Sequence, residues 1–427
     1  MPPRTGARAD TLTAALPSPV LADQPGHPGG YHGTPTAIAG PFVPSRMKVM
    51  ISTTPGRGHI HPVVPLARAF LDRGDEVRWV TGPEGCTSLE RQGFSTTSVG
   101  LSERDGLAEV NRRFPEIATL PPAERPAMMF SKLFGAVRAP VALPGVVAAV
   151  EEWSPDLVIC DASEFAGHIA AAKRAVPSIT HAFGSLIPEV RVAAAGREVG
   201  PLWQAQGLTP QPYGGSYTHL YLDIYPPSLQ PTERAHVPAS QALRPGTFAA
   251  PGEEALPDGI AGTLVYVTLG TLFSNPDVLS NAVRAIASLP VTVLVTVGPN
   301  GDPAALGEQP DNVHVAKYIP QDQVLPLCTV VASHAGSGTF LAALATGLPQ
   351  LCLPQAADQF LNAAACARSG AGIALQPDEI THESVTSAVR RLLDEGHYRQ
   401  AAARVRAEIA EMPTPNHVAN ILHQAFG

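Results

Sequence analysis

The sequence predicts an α/β fold built as two doubly wound, parallel-sheet halves that face each other across a cleft. Three observations carry that expectation. Short apolar runs alternate with amphipathic stretches from Met47 onward, the alternation fades through a segment dense in proline and glycine, and it then restarts. A parallel sheet covered by helices on both faces reads this way, because its strands are apolar on both sides. A length of 427 residues fits more than one domain, and a hydrophobic fraction of 44% supplies side chains for two cores.

Residues 1–46 are rich in Pro, Gly, Ala and Thr without periodicity and are expected to be disordered. A signal peptide is the rival reading, but the apolar piece TLTAALPSPVLA is broken by Pro17 and Pro19 and follows Asp10. Met47 opens the first convincing strand and is the expected natural start. The first half, 47–235, has strands at MKVMIST, EVRWVT, DLVICD and SITHAF, with helices at VVPLARAFLDRG and EFAGHIAAAKRA. A linker is expected over 236–262. The second half, 263–410, has strands at LVYVTLGT, VTVLVTVG, VHVAKYI, VVASHAG and QLCLP. Helices are expected from Thr381, Tyr398 and Thr414, the last within a terminal segment 411–427.

Composition excludes several functions. A net charge of −8 and the lack of a basic patch with interleaved aromatics argue against nucleic-acid binding. The five cysteines, Cys86, Cys160, Cys328, Cys352 and Cys366, are scattered and odd in number, with no CxxC. They fit a reduced cytoplasm rather than disulfides or zinc. No apolar run approaches the roughly 18 residues expected of a membrane-spanning helix.

Ligands of open α/β sheets sit beyond the carboxyl ends of the strands, so chemistry belongs on strand-to-helix loops. The first such loop reads TTPGRGHIHP, Thr53 to Pro62. It is no dinucleotide fingerprint, because Pro62 stands near the third glycine position and the second strand ends at Thr81-Gly82 without a carboxylate. No P-loop motif is present. His59 and His61 form an HxH pair, a weak metal signal without further ligands at fitting spacing. The second loop is ASHAGSGTFLAALATG, Ala332 to Gly347. Gly336 and Gly338 precede a helix opening near Thr339. Free N–H groups there, with Ser337, Thr339 and His334 as further donors, make a diphosphate cradle; a plain tight turn is the competing reading. LGTLF presents Thr271 to the same cleft. KYIPQDQVLP could offer Ile319 backbone groups and Gln321 to a flat base. PQAADQFLNA carries Asp358, Gln359 and Asn362, a carboxylate beside amides that suits vicinal hydroxyls but is also an ordinary capping pattern.

In this order GHxxP, YIPQ, HAGSGT and PQxxDQxxN resemble the inverting nucleotide-sugar glycosyltransferases of GT-B fold, over nearly everything from Met47 to the C-terminus. The resemblance implies two Rossmann-like domains, the first binding the acceptor and the second the nucleotide sugar, and a last helix that crosses back to the first. It implies that His59 is the general base and that Asp161, in CDASEF, orients it, while His61 is a bystander. It also implies a diphosphate leaving group held by His334, Thr271 and the 337–339 amides. No DxD motif appears, so neither a metal nor a cofactor is expected.

Two positions depart from the pattern of uridine-donor members. Ala342 stands where a ribose-binding glutamate is common, and Tyr318-Ile319 replace the plant-type tryptophan. Both favour a dTDP-deoxysugar over a UDP-sugar, and with it the decoration of antibiotic-type natural products. Alternatively, Ala342 merely packs. The expected acceptor is an apolar aglycone such as a polyketide. Its pocket is expected near Phe130 and Phe134 in the stripe Met128–Val137, near Phe183, and around Trp203, although such a stripe is more often core. Alternatives are a UDP-glucose enzyme of broad acceptor range, a carbon- or nitrogen-glycosylating variant, a sugar-nucleotide epimerase of the same fold, and a non-catalytic auxiliary protein. The sequence is silent on a homodimer and on an activator protein, which some relatives need.

Overall fold

The computed structural model describes residues 46–427, except 122–123, 232, 247–255, 258, 270–275 and 299–300. The disordered reading of 1–46 therefore falls, but for its final residue, outside the described residues. So does part of the 236–262 linker.

The first sheet has seven parallel strands: β1 (Lys48–Ser52), β2 (Glu76–Thr81), β3 (Ser95–Ser98), β4 (Leu157–Asp161), β5 (Ser178–His181), β6 (Tyr221–Asp223) and β7 (Ser240–Ala242), in the order β3-β2-β1-β4-β5-β6-β7. The second has six: β8 (Leu264–Thr268), β9 (Thr292–Thr296), β10 (Val313–Ala316), β11 (Val330–Ser333), β12 (Gln350–Cys352) and β13 (Gly372–Ala374), in the order β10-β9-β8-β11-β12-β13. In both, the chain reverses direction of growth between the first strand and the fourth. That switch point opens a crevice at the strand ends.

β1 shows how the sequence makes its strand. Val49, Met50 and Ile51 are fully buried, and burial on both faces is what an uninterrupted apolar run supplies. Its entry is fixed by carboxylates that accept backbone N–H groups, Asp75 from Met47 at 3.1 Å and Asp156 from Lys48 at 2.7 Å.

Four strands escape hydrophobic periodicity. β3 reads STTS, and β6, β7 and β13 have three residues each. β7 lies inside the segment expected to be linker and extends the first sheet by pairing with β6. One helical run, Arg125–Trp153, is also long and apolar enough by length and composition to cross a membrane, contrary to the sequence expectation. Its 131–138 portion packs on the helix Glu189–Ala205 and its 139–153 portion on Ala166–Lys173, so it serves as a packed element of the first half. Ser131–Arg138 within it is π-helical, a wide turn often met at functional sites.

The two halves touch. The last helix, Pro415–Phe426, is capped by Thr414 and packs on Val64–Asp72, with Arg73 donating to Asn420. Glu408 accepts from the Ser228 amide at 2.7 Å, and the Tyr225 hydroxyl donates to buried Asn362 at 3.0 Å.

Candidate active site

The switch point of the first sheet places His59 beside Asp161. The short helical turn Arg57–Ile60 after β1 carries the histidine, β4 ends on the aspartate, and the two strands pair with Ser52 opposite Cys160. A separation of 102 residues closes to 3.2 Å between His59 Nδ1 and Asp161 Oδ1. The His59 side chain is 20% exposed and Asp161 is fully enclosed.

Asp161 is an ionised anchor. Its Oδ2 accepts from the Thr54 amide at 2.7 Å, and its Oδ1 accepts from the Ser163 amide at 2.8 Å and the Ser163 hydroxyl at 2.6 Å. Burial alone would raise its pKa. The neighbouring His59, with the bonds from His59, Ser163 and Thr54, outweighs burial and holds it below the ordinary carboxylate value. Ser163 Oγ also stands 3.1 Å from His59 Nδ1. Its only proton goes to Asp161, so its oxygen shares the Nδ1–H with the carboxylate. This tautomer leaves the lone pair on Nε2.

Around this pair lie residues that sequence reasoning named and residues that it missed. Phe183 and Phe134 meet the His59 ring edge-on, with centroids at 4.7 and 5.5 Å, and Phe130 packs on Phe134 at 5.1 Å. The π-helical turn carries Phe134 and Arg138. Trp203 was expected near the pocket but is only 3% exposed and packs in the core under Gly215. A half-open pocket lies beside the pair, walled by Leu101, Phe134, Ala142, Val146 and Phe165. Among the described residues, Thr54 Oγ1 and Arg138 Nε in its lining are buried without a hydrogen-bond partner. A Cβ on Gly56 would run into both Glu103 and the His59 ring, and burial raises the Glu103 carboxyl above its ordinary value. Glu164, also buried beside the pocket, is pushed up to about 7 by burial, against the amides of Gly167 and Ala166 that bind it. No motif signals Ser163, Glu103, Glu164 or Arg138. His61 is pushed down to about 4 by burial and the charge of Arg57. Among the described residues no group of three His, Cys, Asp or Glu is arranged to hold a metal.

The switch point of the second sheet forms the other wall. Thr271 follows β8 and lies outside the described residues. β11 runs into His334, and the helix Ser337–Thr346 begins with Gly336 as its N-cap and no side-chain cap. The first amides of that helix, from Ser337, Gly338 and Thr339, are therefore open to an anion. A Cβ on Gly336 would collide with His334 Nε2, whereas one on Gly338 would meet nothing within 4 Å. Burial pushes His334 down to about 4, so near neutral pH it is an uncharged donor. Gln321 Nε2 donates to Thr339 Oγ1 at 2.7 Å. Ile319 and Ala342 both pack in the apolar cluster with Tyr266 and Leu325. Ala342 is 8% exposed and packs.

Asp358 sits at the N-cap of the helix Gln359–Ser369 yet makes no capping bond. Its Oδ2 instead accepts from Ser337 Oγ at 2.6 Å and from Asn362 Nδ2 at 3.2 Å. The ordinary capping reading thus fails for Asp358. Gln359 Oε1 turns back to accept from the amides of Gln355 and Ala356, at 2.7 and 2.9 Å, and so ties its own loop. Ala335 and Ala357 hold φ of 62° and 56°. Strained non-glycine backbone in both donor-side loops is the kind of feature that accompanies ligand sites. The halves meet here too, because a Cβ on Gly184 would collide with Ser337 Oγ.

Comparison with known proteins gives the family and the fold. The family described as erythromycin biosynthesis protein CIII-like matches through its N-terminal domain at residues 128–305 and its C-terminal domain at 279–425. The L-demethylnoviosyl transferase of Streptomyces niveus is 31% identical over 379 residues, 87% of this chain and 97% of that protein. The glycosyltransferase SnogD from Streptomyces nogalater superposes with a TM-score of 0.72 at 29% identity, covering 90% of this chain and 100% of that one. The spinosyn rhamnosyltransferase SpnG, solved with thymidine diphosphate and separately with spinosyn aglycone, gives 0.73 at 27% identity, covering 88% and 100%.

Proposed function

The chain belongs to the antibiotic-type bacterial glycosyltransferases of GT-B fold, and from that premise we propose that it moves a deoxyhexose from a dTDP-sugar to a hydroxyl of an apolar, polyketide-like aglycone. The carrying observation is the His59–Asp161 pair, its Nε2 free and its ring walled by Phe134 and Phe183. His59 Nε2 takes the acceptor proton as the acceptor oxygen bonds to the anomeric carbon. The bond from that carbon to the phosphate oxygen breaks in the same step, its electron pair leaves with the diphosphate, and the configuration inverts. Asp161 stabilises the imidazolium that forms. The open amides at Ser337–Thr339, with neutral His334, act as preorganised donors to the leaving diphosphate, so the reading is metal-independent. Asp358 serves the sugar hydroxyls once Ser337 turns to phosphate.

The acceptor pocket is apolar with two unpartnered polar atoms, Thr54 Oγ1 and Arg138 Nε. Such a pocket suits a fused or macrocyclic ring system carrying an oxygen. The dTDP reading draws on a relative solved with thymidine diphosphate and on Ala342 in place of a carboxylate. Calorimetric titration of the purified protein with dTDP and with UDP tests it. A preference for dTDP of tenfold, roughly 1.4 kcal/mol, is expected. Preference for UDP refutes the deoxysugar reading, and binding of neither refutes the donor site.

A further inference from the structure

Every cradle side chain on the donor side named above is neutral: His334, Ser337, Thr339 and Gln321. A departing nucleoside diphosphate gains a negative charge, and amide dipoles alone leave much of it uncompensated. A cation reaches the cleft from the opposite wall. Arg57 opens the helical turn Arg57–Ile60 after β1, two residues before His59, and reaches across the cleft. Its guanidinium lies over the Tyr318 ring of the second half, 5.5 Å from the centroid. Its NH1 is buried and has no hydrogen-bond partner among the described residues.

A desolvated guanidinium nitrogen without an acceptor is costly, the more so because the group is charged. Tyr318 holds the plane of the group and offers its π face. It gives NH1 no acceptor, whereas a phosphate oxygen would. The direct approach of the halves at Gly184 and Ser337 brings the helix N-terminus of the cradle to the same part of the cleft.

We propose that Arg57, carried by the acceptor half, is part of the leaving-group site and binds a phosphate oxygen of the nucleoside diphosphate. The proposal rests on the donor reading above. It makes the loop of the base answer to the donor: one turn carries both the proton acceptor and the charge that receives the leaving electron pair.

The test is calorimetric titration of wild type, Arg57→Lys, Arg57→Gln and Arg57→Met with dTDP and, separately, with thymidine. The expected result is a dTDP affinity lowered at least tenfold in the Met and Gln variants and by less in the Lys variant, with thymidine affinity within twofold throughout. The transfer rate at saturating substrates should fall further than dTDP affinity, because the charge completes only in the transition state. Unchanged dTDP affinity would make Arg57 a stacking prop and overturn the proposal. Equal loss for thymidine would make it a contact to the base and overturn it too. In both cases wild type still binds dTDP and the donor reading stands; wild type binding neither dTDP nor UDP overturns both.

Discussion

Replacing Asp161 with asparagine removes one charge and keeps the shape, so its consequences can be worked from the bonds present. Oδ1 accepts three donors, from His59, the Ser163 amide and the Ser163 hydroxyl, while Oδ2 accepts one, from the Thr54 amide. An asparagine NH2 placed at Oδ1 would face three donors, so it will take the Oδ2 side and face the Thr54 amide. The folded state then loses one hydrogen bond and buries an unpaired N–H, costing about 1–3 kcal/mol of stability. His59 keeps an acceptor at Nδ1 but loses the charge that stabilises its protonated form. Base catalysis of this kind is worth about 10²–10⁴ in rate, or roughly 3–5 kcal/mol. The assay is the initial rate of dTDP release at saturating dTDP-sugar with the aglycone varied, alongside calorimetric dTDP binding. A fall of at least a hundredfold in kcat, with dTDP affinity within twofold of wild type, is expected. A variant within threefold of wild type in kcat would refute the orienting role, and a parallel collapse of dTDP binding would mean that the pair acts on folding instead.

The remaining predictions concern the donor loop and pH. Gly336→Ala should drive the new methyl into the His334 ring and raise the dTDP dissociation constant at least tenfold; unchanged binding would remove His334 from the cradle. Stability should fall on acidification. Burial holds His61, His168, His181 and His334 at about 4, 3, 4 and 4, against 6.5 in the unfolded chain. Below pH 6.5 the unfolded chain takes up protons that the folded one refuses, so stability drops until about pH 4, at up to about 1.4 kcal/mol per group per pH unit. Glu164, at about 7 against 4.5, works oppositely, losing stability as pH rises from 4.5 to 7. Four histidines outweigh the raised carboxyls of Glu164 and Glu103, so the melting temperature should decline from pH 7 to pH 4.5, and a flat profile would contradict the neutral buried state.

The parts of the molecule legible in sequence are those where one physical signal dominates. Long apolar strands such as β1, β4 and β8, and the glycine turns after β1 and β11, follow from burial and from backbone room. The polar strand β3 and the three-residue strands β6, β7 and β13 owe their place to neighbours already in the sheet, which no local periodicity records. The partnership of His59 with Asp161 is a fact of strand order, visible beforehand only through family resemblance. Ser163, Glu103 and Arg138 stand at the site because a turn, a helix start and a π-helical bulge bring them there, and each is unremarked in sequence. Gln359 shows the converse: a side chain with the right chemistry for a sugar is taken up by its own loop.

In the proposed reaction His59 removes the acceptor proton during sugar transfer from a nucleotide donor. The most direct test compares wild type with His59→Ala in single-turnover transfer from a dTDP-deoxyhexose to a polyketide aglycone, with dTDP affinity measured on the same preparations. A rate lower by on the order of 10³ or more is expected, with a dTDP dissociation constant within twofold of wild type. Transfer by His59→Ala within tenfold of the wild-type rate would contradict it.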